Sequence, residues 1–109
     1  MQRVAVIVPV YNEEEAFEAF YRKLSASLEG LELAIQMIFV NDGSTDATPA
    51  CLEAVAARDG RVQVIELSRN FGHQAALSAG LDAADADYII TLDGDGEHPP
   101  EMIPQMLEL

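Results

Sequence analysis

Strand-like and helix-like segments alternate along this chain, and this alternation limits its possible folds more than any other feature. Four short runs are apolar and rich in β-branched residues, as in strands buried on both faces. These runs cover residues 4–10, 34–40, 62–67 and 87–93. Apolar residues between them recur at helical spacing. The order predicts an α/β fold of the Rossmann-like kind, a parallel sheet with helices on both faces.

Polar residues after each strand-like run predict where the helices begin. Asn12 is predicted to cap the first helix, with three glutamates in its first turn and Gly30 at its end. The second helix is predicted to run to about residue 58, and the third to cover residues 73–84. A last helix is predicted to start near residue 99 or 100. The candidate caps of the second helix are Ser44, Thr45 and Asp46.

If the strands are arranged 3-2-1-4, the sheet has a ligand site at one edge. Right-handed crossovers allow the order 3-2-1-4, which reverses direction between strands 1 and 4. Ligands of open α/β sheets bind beyond the carboxyl ends of the strands at such a switch point. The loops after strands 1 and 4 are therefore expected to flank one pocket, with the loop after strand 2 as its next wall.

Composition excludes some classes of protein. The 109 residues suit one domain, residues 1–109, and the net charge of −13 argues against nucleic acid as a partner. A single cysteine, Cys51, allows no disulfide within the chain and fits a cytoplasmic setting. No apolar run is long enough to span a bilayer. The final residues read as an interrupted helix, so we expect the front part of a longer protein, whose later segments would supply any membrane anchor. The sequence leaves the oligomeric state open.

An acidic turn at the end of the fourth strand is the main clue to a ligand. Neither G-x-G-x-x-G nor a P-loop is present, but Asp93 and Asp95 flank Gly94. Two carboxylates on one short turn suit Mg²⁺ or Mn²⁺, which would in turn bind substrate phosphates. An ordinary acidic surface turn is the alternative, since aspartate and glycine are common turn residues.

Calcium is a rival for the same carboxylates. Asp93, Asp95 and Glu97 match positions 1, 3 and 5 of an EF-hand loop, but His98 replaces the required glycine. A second stretch comes closer to the pattern, yet Ala47 stands at its glycine position. Its matching residues are Asp42, Ser44, Asp46 and Glu53.

Four successive stretches together resemble one enzyme family. They read "VAVIVPVYNEE", "IFVNDGSTDAT", "LSRNFGHQAALSAGLDAA" and "IITLDGDGEHPPEMIPQML", and they span essentially the whole chain. In this order they resemble the family 2 glycosyltransferases, and within them the dolichyl- and undecaprenyl-phosphate sugar transferases. The resemblance implies a GT-A-type fold and an inverting transfer of a sugar from a UDP- or GDP-linked donor to a polyprenyl phosphate or saccharide acceptor.

The resemblance also implies roles for individual residues. Residues matching the family's nucleotide-sugar contacts are Pro9, Tyr11, Glu13, Asp42, Arg69, Gly72, Asp93 and Gly94. Asp93 and Asp95 match its metal-binding D-x-D. Glu97 stands where the family commonly has glutamine, and its extra charge would add to the metal site. The acceptor-side residues, and any general base, are expected beyond Leu109.

Each implied role has a simpler alternative. Tyr11 either borders the base or packs on the sheet, and Asp42 either accepts from the base or caps its own loop. Arg69, one of six basic residues, either offsets phosphate charge or forms a surface ion pair. His73 and His98 are interpreted as structural. The alternative for the whole chain is a non-catalytic module that binds a nucleotide or cation, and we expect the chain by itself to be inactive.

Overall fold

The fold is an open parallel sheet with helices packed on its two faces. The structure is a computed structural model and describes residues 2–92. Strands and helices alternate strictly within that range, as the sequence predicts. The elements are β1 (Arg3–Val10), α1 (Phe17–Leu28), β2 (Ala34–Asn41), α2 (Thr48–Arg58), β3 (Val62–Glu66), α3 (His73–Ala83) and β4 (Tyr88–Thr91).

The sheet order is β3-β2-β1-β4, the arrangement for which the sequence predicts the ligand site. Every neighbouring pair of these strands is parallel. Val6 in the middle of β1 pairs with Met37 of β2 on one side and Ile90 of β4 on the other. The central position of β1 explains its continuous apolar run, because a central strand covered on both faces has no side that faces water.

Alternate residues of β1 feed two separate cores. Val4, Val6 and Val8 join the larger core, which α1 and α2 cover. There the ring of Phe17 meets the ring of Phe39 edge-on, at 5.2 Å between centroids and 79° between planes. Ala5 and Ile7 face the opposite way, into a smaller core under α3. Helices on both faces are therefore confirmed.

Helix α3 lies unusually close to the sheet at one residue. Gly80 is buried, and a Cβ built on it would overlap Cγ2 of Ile7. A residue larger than glycine would push the helix away from β1 or force Ile7 out of its rotamer. Gly80 thus sets the distance between α3 and the sheet.

The predicted start of the first helix is wrong. Helix α1 begins at Phe17, its N-cap position is Ala16, and no side chain caps it. Residues 13–16 form a turn in which the Glu13 carbonyl accepts from the amides of Ala16 and Phe17, at 3.1 and 2.8 Å. Asn12 has a left-handed backbone, with φ 52°, and its side chain bonds to a different loop. The three glutamates therefore precede the helix.

The second helix start is confirmed only in part. Helix α2 begins at Thr48 with proline in its first turn, and its N-cap position is Ala47. Of the three candidate caps, Asp46 accepts a hydrogen bond from the amide of Thr48 at 2.9 Å. Ser44 and Thr45 bond to Asn12 instead.

The remaining predicted bounds differ slightly or lie outside the described residues. Strand β3 ends at Glu66 and helix α3 at Ala83, each one residue earlier than predicted. Strand β4 covers Tyr88–Thr91. Cys51 is partly buried against the larger core, as interpreted from the sequence. The predicted last helix lies outside residues 2–92.

A partly buried ion pair ties the layers together at the amino ends of the strands. Arg61 donates to both carboxylate oxygens of Asp59, and Tyr21 of α1 donates to the same carboxylate at 2.6 Å. Arg61 also donates to Ser25 of α1 at 3.1 Å. The hydrogen bonds from Arg61, opposed by desolvation and reinforced by Tyr21, hold the pKa of Asp59 well below its ordinary value.

Candidate functional site

Three loops lie side by side at the carboxyl edge of the sheet. We name them the first loop (residues 11–16, after β1), the second loop (residues 42–47, after β2) and the third loop (residues 67–72, after β3). Strands β1, β2 and β3 are neighbours in the sheet, so the second loop stands between the other two. This edge is where the sequence predicts a ligand site.

A set of hydrogen bonds joins the first loop to the second. The amide of Asn12 donates to Ser44 Oγ at 3.0 Å, and the amide of Thr45 donates to Asn12 Oδ1 at 2.8 Å. The amide of Glu13 donates to Thr48 Oγ1 at 2.9 Å. The amide of Glu14 donates to Asp46 Oδ2 at 3.3 Å. Asn12 thus donates one hydrogen bond to the second loop and accepts another from it, and these two bonds hold its left-handed backbone.

The third loop is held by a carboxylate of the second loop. Asp42 Oδ1 accepts from the amide of Phe71 at 2.8 Å, and Oδ2 accepts from the amide of Gly72 at 3.2 Å. Next to it, Gly43 has φ 72°, and a Cβ there would overlap the backbone of Arg69 and Asn70. The second and third loops are therefore in main-chain contact.

The buried polar side chains of the described residues all belong to this arrangement. Asn41, Asp42 and Thr48 are exposed by 4%, 5% and 0%. Asn41 Oδ1 accepts from the amide of Ser44, Asp42 holds the third loop, and Thr48 holds the first. Buried polar groups need such partners, since an unpaired one costs about 1–3 kcal/mol. The second loop is thus the central brace of the site.

Two aromatic rings and one cation face outwards at the same edge. Tyr11 is 43% exposed. Phe71 is 48% exposed, and the guanidinium of Arg69 lies 4.7 Å from the centre of its ring. Arg69 is the single Lys or Arg within the three loops. Flat rings and one positive charge suit a ligand with an aromatic base and phosphates.

The first loop adds negative charge to the edge. A cleft of about 280 Å³ opens between the first loop and Asp46. Desolvation raises the pKa of Asp46, but hydrogen bonds from Thr48 and from the Glu14 backbone outweigh it, so the pKa lies below its ordinary value. The residues that line the cleft are Asn12, Glu13, Glu14, Glu15, Ala16 and Asp46.

The structure brings together most of the residues predicted for the nucleotide site. Tyr11 and Glu13 lie in the first loop, Asp42 in the second, and Arg69 and Gly72 in the third. Pro9 lies within β1, where it pairs with Val40, one position before the strand ends. His73 is the first residue of α3, as interpreted from the sequence. The individual contacts assigned to these residues stay predictions.

The predicted metal ligands lie outside the described residues. This applies to Asp93, Asp95 and Glu97, and also to Gly94 and His98. Leu92, the last described residue, is 2% exposed, and its amide donates to the Ile7 carbonyl at 3.0 Å. The fourth strand thus stays paired with β1 up to the residue before the D-x-D.

The calcium alternative in the second loop is contradicted by the geometry. Within residues 2–92 no three His, Cys, Asp or Glu side chains are grouped closely enough to hold a metal ion. The carboxylate of Asp42 holds the third loop, that of Asp46 bonds to two amides, and Ser44 accepts from Asn12.

Sequence reasoning missed several residues that build the site. Asn12 was read only as a local helix cap, and Thr48, Phe71 and Gly43 were not singled out. Asn followed by glutamates after a strand fits a helix cap equally well, so it does not distinguish the two arrangements. Glycine after Asp42 was a usable signal, because it permits both a positive φ and a close backbone approach.

Fold and site together define a class of protein: a Rossmann-like α/β domain with three braced loops at the carboxyl edge of its sheet. The chain belongs to the Glycosyl transferase family 2, whose sequence model matches residues 5–109. The resemblance in the sequence is thereby confirmed.

The chain is similar to two curated sugar transferases. The bactoprenol glucosyl transferase of Shigella phage SfV is 41% identical over 106 residues, which cover 97% of this chain and 34% of that protein. The undecaprenyl-phosphate 4-deoxy-4-formamido-L-arabinose transferase of Pseudomonas paraeruginosa is 42% identical over 106 residues, 96% of this chain and 31% of that protein. The chain therefore spans about a third of the length of these relatives.

A solved structure agrees with the fold. The mannosyltransferase PcManGT from Pyrobaculum calidifontis, in complex with GDP-Man and Mn²⁺, superposes with a TM-score of 0.77 at 26% identity. The match covers 86% of this chain and 28% of that protein. Among the helices of residues 2–92, none has both the length and the apolar character needed to cross a membrane.

Proposed function

We propose that this chain is the donor-binding part of a glycosyltransferase that transfers a sugar from a nucleotide diphosphate sugar to a polyprenyl phosphate. Family membership and the names of the two relatives support the class of reaction and acceptor. The observation that carries the proposal is the braced edge of the sheet, where the first loop exposes Tyr11 and the third loop exposes Phe71 with Arg69 over its ring. The donor is UDP- or GDP-linked; a GDP-sugar lies in the similar mannosyltransferase structure.

We further propose that a divalent cation, Mg²⁺ or Mn²⁺, joins the donor to the acidic turn. The residues that would hold it are Asp93, Asp95 and Glu97, whose carboxylate oxygens suit such hard cations. These carboxylates are suitable metal ligands for the site. The loops at the edge offer one basic residue and several carboxylates, so they have too little positive charge to bind a diphosphate without a cation. When bound, the cation would supply charge neutralisation for the departing nucleoside diphosphate.

The transfer itself is proposed to invert the sugar's anomeric configuration. An oxygen of the acceptor phosphate forms a bond to the anomeric carbon while the bond from that carbon to the diphosphate oxygen breaks. The electron pair of the broken bond leaves with the nucleoside diphosphate. A phosphate acceptor is already anionic at neutral pH, so it needs no general base. The cytoplasmic location and a membrane association of the longer protein stay predictions.

Calorimetric titration tests the donor site. We expect UDP or GDP to bind in the presence of Mn²⁺ and to bind much more weakly when EDTA replaces the metal. Asp95→Asn should remove most of the metal-dependent part and leave the metal-independent part unchanged. Equal binding with and without metal would refute the metal proposal, and no binding of either nucleotide would refute the donor proposal. A transferase assay on the same chain separates a donor-binding part from a complete enzyme.

A further inference from the structure

We propose that Asp42 is a positioning residue that acts on the donor through Arg69: its carboxylate fixes the third loop and so sets where the guanidinium meets the nucleotide's phosphates. This inference rests on the proposed function, because it concerns the same nucleotide site. It differs from the family-based expectation that Asp42 accepts directly from the base.

The carboxylate of Asp42 is already committed to the third loop. It is 5% exposed, and its two oxygens accept from two successive amides, those of Phe71 and Gly72. Hydrogen bonds to an ionised acceptor are roughly twice as strong as neutral ones. Two such bonds from adjacent amides fix both the position and the orientation of the peptide between Phe71 and Gly72.

The third loop has a shape that needs such support. Gly72 has φ 101°, a conformation open mainly to glycine, and glycine is also the residue with the greatest freedom to leave it. On the other side of the loop, the backbone of Arg69 and Asn70 lies directly on Gly43. The second loop therefore fixes the chain between these points. Gly43 contacts the third loop at Arg69 and Asn70, and Asp42 accepts hydrogen bonds from it at Phe71 and Gly72.

This support of the third loop fixes the position of Arg69. Its guanidinium lies over the ring of Phe71, 4.7 Å from the ring centre, and the amide of that same Phe71 donates to Asp42. Moving the Phe71 backbone moves the ring on which the guanidinium rests. Because Arg69 is the single basic residue of the three loops, its displacement removes the positive side-chain charge that they offer to a phosphate.

A double-mutant cycle on nucleotide binding tests the proposal. Affinity for UDP and GDP with Mn²⁺ is measured by calorimetry for wild type, Asp42→Asn, Arg69→Ala and the double variant. Asparagine replaces one carboxylate oxygen with a donor that faces a backbone N–H, so we expect Asp42→Asn to weaken binding about tenfold, the loss of one charge-assisted hydrogen bond. In the Arg69→Ala background the same change should alter affinity by less than about twofold.

Amide hydrogen exchange supplies a readout besides affinity. In Asp42→Asn we expect the amides of Phe71 and Gly72 to exchange faster while those in the middle of β1 keep their rates. Asp59→Asn is the matched control, because it removes a partly buried, hydrogen-bonded carboxylate at the opposite ends of the strands. That variant should lose stability yet keep nucleotide affinity and the exchange rates of the third loop.

The outcomes separate the inference from the proposed function. If wild type binds neither nucleotide, the donor site itself is refuted. If wild type binds and the losses of the two single variants add, Asp42 contacts the nucleotide directly and the inference is overturned. Faster exchange in the third loop with unchanged affinity also overturns it. Should Asp42→Asn fail to fold, the same cycle is run with Asp42→Glu, which keeps the charge but displaces the two amides.

Discussion

The backbone of Gly43 packs directly on the main chain of Arg69, with no room between them for a side chain. Gly43 also has φ 72°, so the second loop reaches this contact through a conformation that other residues disfavour. Gly43 therefore determines both the turn of the second loop and the position of the third loop.

Gly43→Ala is therefore expected to destabilise the fold by about 2 kcal/mol or more, from the left-handed backbone plus the overlap. Urea unfolding measures the loss of free energy, and calorimetry with UDP, GDP and Mn²⁺ should show weaker binding. Gly60→Ala is the control, because a Cβ at Gly60 meets nothing within 4 Å and its φ lies outside the left-handed region. Equal effects of the two substitutions would contradict the contact as described.

Asn12 offers a graded test of the bond between the first and second loops. Its φ of 52° and its Oδ1 bond to the Thr45 amide make separate contributions. We expect Asn12→Gly to lose the bond but keep the backbone, at about 1 kcal/mol, and Asn12→Ala to lose both, at about 2 kcal/mol. Asn12→Asp keeps an acceptor and should cost least. Chemical denaturation ranks the three, and a ranking with alanine mildest would show that neither the left-handed backbone nor the loop bond contributes as described.

The partly buried carboxylate of Asp59 predicts a specific pH dependence. Its pKa lies below the ordinary value in the folded state, chiefly because Arg61 donates to it. An unfolded aspartate has a pKa of about 3.9, so the stabilisation is fully present above about pH 5 and is lost as the pH falls. Asp59→Asn should cost about 2 kcal/mol at pH 7.

The sign of this effect is checked by comparing wild type with Asp59→Asn in urea at pH 7, 5, 4 and 3. The gap between their free energies of unfolding should stay constant down to about pH 5 and then narrow, as the unfolded wild-type chain takes up a proton that the folded chain refuses. A gap that widens on acidification would contradict the assigned role of Arg61.

Gly80 tests the close approach of α3 to the sheet. Alanine is the better helix former by about 1 kcal/mol, so propensity alone predicts that Gly80→Ala stabilises the protein. The overlap with Ile7 predicts the opposite, and we expect a net loss of about 1–2 kcal/mol in thermal or urea unfolding. Ser78→Ala, at an exposed position of the same helix, should be neutral or slightly stabilising. Stabilisation by both substitutions would show that α3 can move away at no cost.

Local patterns predicted the elements well because their causes are local or nearly so. The run from Val4 to Val10 is apolar throughout and buried at every position except the half-buried Pro9, as expected of a central strand covered on both faces. Phe17, Phe20, Tyr21, Leu24 and Leu28 gave the buried face of α1 correctly. The observed strand order is one that right-handed connections allow, and this handedness depends on chain twist and not on particular side chains.

The errors lie where one side chain had two possible sets of partners. Asn12 was predicted to cap its own helix, yet it bonds to Thr45, 33 residues later. Asp42 had a local alternative, the capping of its own loop, yet it holds two amides about 30 residues away. Either set of partners satisfies the same polar atoms, but only the local set can be inferred from the sequence.

The sequence by itself determined the alternation of strands and helices, the parallel sheet and the membership in a glycosyltransferase family. Those features depend on hydrophobic periodicity and on runs of residues that are contiguous in the chain. Only the tertiary structure decided which loops are braced together, and that the second loop is the brace. That choice depends on hydrogen bonds between segments about 30 residues apart, whose geometry exists only once the strands have paired.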